Sequence, residues 1–317
     1  MKISMNFVIV FILLLLITSL YRSIKGIYVS EYINQTEALA SQYNKRSEYY
    51  IDSYESIAKC IAENGMVRKA VCENINDYEL NYVLTDMTKV YSDILGVSVY
   101  SEDYDFFSDR VIGSAPDLEF IKNKYIQNAE FKGDICWVIR TPDSYAGYYD
   151  RVSYSSCDQG LYTCIYKIRD DYGKIAGYLL LDTNISELFK IYRNENTFEQ
   201  QMDIYLKKSD FVIGDKDNKN NNLEFVKEAE PKEEKSLIDD RIIYIFYPLP
   251  SSENQLVIGA SIDKIYNMLY ITVAMMILIG IIFYIGSIWV INRFIGGIIQ
   301  SAGKLNDKIR NYNIDEK

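Results

Sequence analysis

Residues 162–192, YTCIYKIRDDYGKIAGYLLLDTNISELFKIY, read as a strand, a tight turn, a second strand and a helix. From Tyr162 to Arg169 β-formers dominate. Tyr162, Cys164, Tyr166 and Ile168 share one face, and Thr163, Ile165, Lys167 and Arg169 share the other. Asp170-Asp171-Tyr172-Gly173 supplies turn chemistry, with Gly173 able to take a positive φ at the end of the loop. Ile175–Asp182 is apolar enough to be buried on both faces, which predicts a central strand. Asn184-Ile-Ser-Glu187 fits a capping box, and Leu188, Ile191 and Tyr192 give the next helix an apolar stripe.

Outward from this hairpin, the chain of 317 residues has room for one large domain or two modules, and 49% hydrophobic content supports a real core. The net charge of −10 disfavours nucleic acid or an anionic membrane surface as partner of the folded part. Histidine is absent, which removes histidine-based triads, imidazole zinc sites and any phospho-accepting histidine within these residues. No nucleophile stands with a base and no glycine-rich phosphate loop occurs, so no enzymatic activity, cofactor or metal is expected. Of 29 tyrosines, eight lie between Tyr145 and Tyr178. They suit amphipathic positions on strand faces and sheet edges, or the wall of an aromatic ligand pocket.

Residues 3–21 are uncharged, long enough for a span at about 20 residues, and no small-residue cleavage site follows them. Residues 22–62 read as a polar helical stalk in which Tyr50, Tyr54, Ile57 and Ile61 fall on one face. Asn64-Gly65 breaks it, and further helices are expected over 77–91 and from Asp117 to Asn128. Strands are expected at 97–100, 106–112, 135–140 and 151–155, then at 202–207, 211–213, 241–246 and 256–261. Helices followed by antiparallel strands with short turns argue α+β. The turn-rich run 214–222 and the charge run 228–235 read as solvated. Residues 265–292 are 28 uncharged residues and form a second span. The tail beyond them carries five basic and three acidic residues, which by the positive-inside rule places it in the cytoplasm. Residues 3–263 carry 27 basic and 41 acidic residues, a balance of −14.

The run Lys174–Leu188 resembles the final strand and following helix of the membrane-distal module in bacterial double-Cache (dCache) sensors, and Ile94–Ser101 resembles that module's first strand. With the two flanking spans the likeness covers nearly the whole chain and is closest to the input half of YesM-like sensor histidine kinases. Arg293-Phe-Ile-Gly-Gly-Ile298 followed by Leu305 resembles the opening helix of a HAMP linker, with Gly297 where that helix usually has proline. The resemblance implies an α+β chain with a long N-terminal helix and two PAS-like antiparallel-sheet modules. Its divisions are a cytoplasmic N-terminus 1–4, transmembrane helix 5–21, stalk 22–62, membrane-distal Cache module 63–194, membrane-proximal Cache module 195–263, transmembrane helix 265–291 and HAMP-like helix 292–317.

The resemblance also implies a site. In dCache domains that recognise amino acids, an aspartate at the end of this strand holds the ligand's ammonium group, and Asp182 stands there. The preceding motif has a tyrosine, then an arginine followed closely by Trp-Tyr. Trp137, 45 residues before Asp182, suits the tryptophan, while Ile135 and Val138 stand at the arginine and tyrosine places. Arg140 or Arg151 would have to supply the carboxylate clamp. Strand alternation sets Tyr178 on the face of Asp182, with Thr163 and Ile165 across from it, an arrangement suited to a cation or amine. Asp182 fits equally as a cap of the following helix. Tyr148, Tyr149 and Asp150 form a second polar-aromatic group, either pocket rim or ordinary loop. The candidate ligand-binding set is therefore Asp182, Trp137, Tyr178, Tyr149, Arg140 and Tyr162. Cysteines 60, 72, 136, 157 and 164 are odd in number and lack C-x-x-C spacing. They are either buried small hydrophobes or include a disulfide, for which Cys136 with Cys157 or Cys164 is the first pair to test.

The expected function is that of a bacterial plasma-membrane sensor, with residues 22–264 outside the cell and both termini in the cytoplasm. It would bind a small molecule of unspecified class, act as a homodimer and pass its signal to a separate signalling partner. The alternative is a membrane-anchored surface protein that binds a protein partner or scaffolds a complex.

Overall fold

The computed structural model describes residues 2–73, 79–91, 93–102, 106–108, 118–127, 129–140, 160–191, 202–209, 211–215, 218, 222–229, 236–239 and 241–312. The chain divides into two units, 35–261 and a second made of 1–34 with 262–317.

In the unit spanning 35–261, the C-terminal part of α1 (Lys2–Ala62) leads into α2 (Gly65–Glu73) and α3 (Glu79–Thr88). The first sheet follows: β1 (Ile94–Ser101), β2 (Phe106–Ser108), β3 (Ile135–Arg140), β4 (Leu161–Arg169) and β5 (Ile175–Asn184), in the spatial order β2-β1-β5-β4-β3. Every pairing is antiparallel. β5 is central, as its unbroken apolar run predicts, and is buried from Gly177 to Asn184. At the hairpin turn the Asp170 carboxylate accepts from the backbone N–H groups of Tyr172 and Lys174, and Gly173 takes φ +81°. Asn184 caps α5 (Ile185–Lys190) by accepting from the N–H of Ser186. Asp182 is thereby released from the capping role and is available for other chemistry.

Helices cover both faces of this sheet. α2, with Val67, Ala70 and Val71 buried and Val71 beside Gly177, covers one face, and Ile51, Ala58 and Ile61 of α1 are buried as well. On the other, α4 (Leu118–Ile121) runs directly into a π-helical turn, Lys122–Ile126, and packs Leu118, Ile121, Tyr125 and Ile126 against Tyr100, Cys136, Val138, Ile165, Tyr178 and Leu180. The helix expected from Asp117 to Asn128 thus changes winding after one turn.

The second sheet comprises β6 (Met202–Lys208), β7 (Phe211–Gly214), β8 (Ser236–Asp239), β9 (Ile242–Pro248) and β10 (Gln255–Ser261), in the order β7-β6-β10-β9-β8 and again antiparallel. It repeats the first sheet's arrangement. α6 (Leu223–Glu228) lies over it, with Val226 buried among Tyr205, Tyr244 and Val257. Lys207 is buried and points its ammonium at the carbonyls of Val226 and Lys227, so it caps the end of α6 from the sheet. Neither α6, β8 nor α2 was expected; α6 and α2 are short, and β8 adjoins a charge run that dominates its local composition. The strand expected at 151–155 lies outside the described residues.

In the other unit, the N-terminal part of α1 packs against α7 (Asp263–Tyr312), with Lys25 over the ring of Tyr266 and Ile17 beside Gly280. Both helices are long and apolar enough to cross a membrane. α1 continues without a break at residue 22 and α7 without a break at residue 292.

Candidate functional site

Cross-strand register assembles the site. Thr163 stands opposite Asp182 on one side and opposite Val138 on the other, so the even-numbered residues of β3 and β5 and the odd-numbered residues of β4 share one face. At the end of that face Arg140 reaches Asp182. Its Nη1 lies 3.0 and 3.1 Å from the two carboxylate oxygens, and Thr163 donates its hydroxyl to Oδ1 at 2.6 Å. The arginine and aspartate side chains are 2% and 1% exposed. The guanidinium also lies 5.9 Å from the centre of the Tyr125 ring, supplied by the π-helical turn. Tyr178 occupies the same face further along β5, and Lys122, which is paired with Glu102, sits over its ring. Burial pushes the Tyr178 phenol up, and Glu102 adds to the effect.

Trp137 and Tyr162 are on the other face. The 45-residue spacing from Trp137 to Asp182 does not determine the side of the sheet; register does, and Trp137 pairs with Cys164, one residue out of phase with Val138 and Thr163. Trp137 stacks on Tyr162 with ring centres 4.6 Å apart and donates from Nε1 to Glu55 of α1 at 3.0 Å. Its backbone N–H donates to the carbonyl of Ser251, and its carbonyl accepts from the Asn254 side chain, both in the β9–β10 turn of the second sheet. The six candidates are thus divided. Arg140, Asp182 and Tyr178 belong to the face under α4; Trp137 and Tyr162 join the sheet to α1 and to the second module; Tyr149 lies outside the described residues, as does Arg151. Sequence reading missed Thr163 as an Asp182 ligand in the chemical sense, although its position opposite Asp182 was expected, and it missed Tyr125 and Glu55.

Replacing Trp137 with Phe should keep much of the stacking but leave the Glu55 carboxylate without this donor. A loss of about 1–2 kcal/mol is expected, read as a lower urea midpoint by far-UV circular dichroism on the detergent-purified chain. An unchanged midpoint would mean the indole bond contributes nothing.

Cys136 faces Tyr125 and Ile165, whereas Cys164 faces the opposite side beside Trp137 and Tyr162; both thiols are free, so this pair forms no disulfide. Cys157 lies outside the described residues. Burial pushes the Cys136 thiol from 9.0 up to about 12 and Cys164 well above its ordinary value. Burial, with Asp93 next in size, takes Tyr54 from 10.0 up to about 12. The folded state therefore holds these protons more tightly than the unfolded chain does. Their stabilisation is complete below pH 9.0 and declines as pH rises towards about 12. The urea midpoint should fall steadily above pH 9.0, and Cys136→Ala should flatten that fall; a flat profile in the parent protein would contradict the assignment.

A concavity of about 420 Å³ lies between α2 and the β4–β5 turn, but it is open and crossed by the exposed Arg68–Asp171 ion pair. Among the described residues no group of three or more carboxylates and thiols is placed to hold a metal ion.

No protein-family model matches the chain, and no curated protein matches it in sequence. Solved structures do match in fold. The ligand-binding domain of the Pseudomonas fluorescens chemoreceptor CtaA, in complex with L-isoleucine, covers 79% of this chain and 98% of its own length at TM-score 0.51 and 12% identity. The ligand-binding domain of Mlp24 with asparagine gives 0.52 at 13% identity, covering 78% of this chain and 99% of that one. The fold is that of these ligand-binding domains. The extracellular domain of the histidine kinase rpHK1S-Z16 adds a third match, at TM-score 0.51 and 10% identity over 74% of this chain and 98% of that one. The matching region here is α+β, with a long N-terminal helix and antiparallel sheets, and the Arg140–Asp182 pair belongs to the first of those sheets.

Proposed function

We propose that this protein is a membrane-bound extracytoplasmic sensor whose distal module binds a small molecule on the sheet face beneath α4, without catalysing a reaction. The observation that carries the proposal is a buried, hydrogen-bonded charge constellation, Arg140–Asp182–Thr163, at the strand ends of a Cache-like module. Buried ionic groups cost desolvation, and a pair retained at such a cost marks a candidate for a role beyond packing. The chemoreceptor domains of like fold are complexed with amino acids, which supports a small polar ligand in the same size range. β3 offers a route for the signal. Its Arg140 side faces the site, and its Trp137 side holds α1 and the second module. Ligand binding would shift the balance between two packings of β3 against α1, and the chain carries that change to the two apolar helices. A HAMP-like role for the end of α7, a homodimer and a separate signalling partner complete the proposal.

The test is a thermal-unfolding screen of the full chain in detergent against amino acids, polyamines, organic acids and sugars. A ligand that binds only the folded state at a hundredfold excess over Kd adds about 2.7 kcal/mol, a shift of several degrees. A saturable shift lost in Thr163→Val would support the reading. Absence of a shift in every class would overturn it and favour a surface protein that docks another protein.

A further inference from the structure

The Arg140–Asp182 bond says which ligands this site refuses, an inference that rests on the small-molecule reading above. A buried carboxylate on a sheet face is a ready acceptor for an ammonium or guanidinium group. Here both oxygens of that carboxylate are already engaged by a guanidinium at 3.0 and 3.1 Å, and one of them takes the Thr163 hydroxyl as well. The guanidinium comes from β3, the edge strand of the sheet, reaching across β4 to β5. Its charge is matched within the chain, and the aromatic ring of Tyr125 lies beside it. We propose that Arg140 is a specificity-determining residue that fills, from within the chain, the cation position of Asp182, so that the site rejects amines and selects ligands that carry no ammonium group.

The physical case rests on exchange. A free amine could reach Asp182 only by expelling Arg140, leaving a buried guanidinium uncompensated, a cost in the range of breaking any buried ion pair. The tethered arginine pays no translational entropy for its place, whereas a soluble amine does. A ligand that leaves the pair intact meets no such penalty. Removal of the arginine side chain reverses the situation: Asp182 stays buried, now beside a cavity shaped for a guanidinium, and a small cation of that shape can refill it.

The experiment compares the full chain and Arg140→Ala in detergent, using methylguanidinium chloride as the probe, with tetramethylammonium chloride and urea as controls. The parent protein should show no saturable change in Tm with millimolar methylguanidinium. Arg140→Ala should unfold at a lower temperature and regain about 2–4 °C, saturably, with methylguanidinium but with neither control. Arg140→Ala/Asp182→Asn should show no recovery. Should Arg140→Ala fail to fold, Arg140→Gln provides the test. Its neutral amide fills part of the space but brings no charge, so Asp182 is left uncompensated and methylguanidinium should raise its Tm. The proposal is overturned if neither variant responds, or if an amine stabilises the parent protein and Asp182→Asn abolishes that effect. The latter result would leave the sensor reading standing and refute only the exclusion of amines. Rescue of Arg140→Ala together with an empty ligand screen would show that Arg140 fills the cation position of Asp182 but overturn the small-molecule reading, and with it the role of Arg140 in selecting ligands.

Discussion

Asp182→Ala is expected to destabilise the chain by about 3–5 kcal/mol, the largest effect of any polar substitution in the module of the first sheet. The loss does not come mainly from the strength of the ion pair. It comes from what is left behind: the Arg140 guanidinium, with its side chain 2% exposed, loses both carboxylate acceptors at once, and the Thr163 hydroxyl loses its acceptor. The converse is an equally specific expectation. Arg140→Met with Asp182→Leu removes both charges and fills the space with apolar atoms, so the double variant should be more stable than Asp182→Ala and near the parent protein. Urea midpoints by circular dichroism measure all the variants. A cost below about 1 kcal/mol for the single substitution would mean that water or another group reaches Arg140 when the carboxylate is gone, and the buried pair would then not be the centre of this module.

That pair was only half legible in the sequence. The hairpin is local, so its turn residues, its alternation and the Asn184 cap all speak directly, and the placement of Thr163 opposite Asp182 follows from the turn's position. β3 comes from Ile135–Arg140, with residues 141–160 intervening before β4, and its ends were readable from composition alone. Its register was not, because a slip of one residue exchanges every side chain between faces. On that one residue rests whether Trp137 or Arg140 meets Asp182. Both stood in the candidate set, and the register brings Arg140 to Asp182 while turning Trp137 to the other face. The same limit applies to Lys207. The sequence placed it in a strand, but nothing local announces that its ammonium is buried against the carbonyls that end α6. The π-helical turn that brings Tyr125 over Arg140 has no sequence signature at all, since its winding is set by packing against the sheet.

Gly177 offers the sharpest test of the sheet that carries the site. It lies in the central strand, where a glycine ordinarily weakens a strand and a larger residue would be preferred. Its reason is close approach. A Cβ at this position would sit 2.2 Å from the carbonyl oxygen of Tyr100 in β1 and 2.6 Å from a methyl of Val71 in α2. The methyl could yield by a rotamer change; the carbonyl belongs to a ladder in which Ser101 pairs with Gly177, and the adjacent Glu102 N–H donates to Ala176. Gly177→Ala therefore forces β1 and β5 apart at one end and is expected to cost about 3 kcal/mol or more, beyond the usual range for adding one carbon to a core. Gly177→Val should prevent accumulation of folded chain. Gly173→Ala is the control, because that glycine meets nothing within 4 Å and its cost is confined to the positive φ of the turn. The urea midpoint of Gly177→Ala should fall well below that of Gly173→Ala. Equal midpoints would mean that the β1–β5 contact gives way freely, and a sheet with that freedom could not hold Arg140 on Asp182 across three strands.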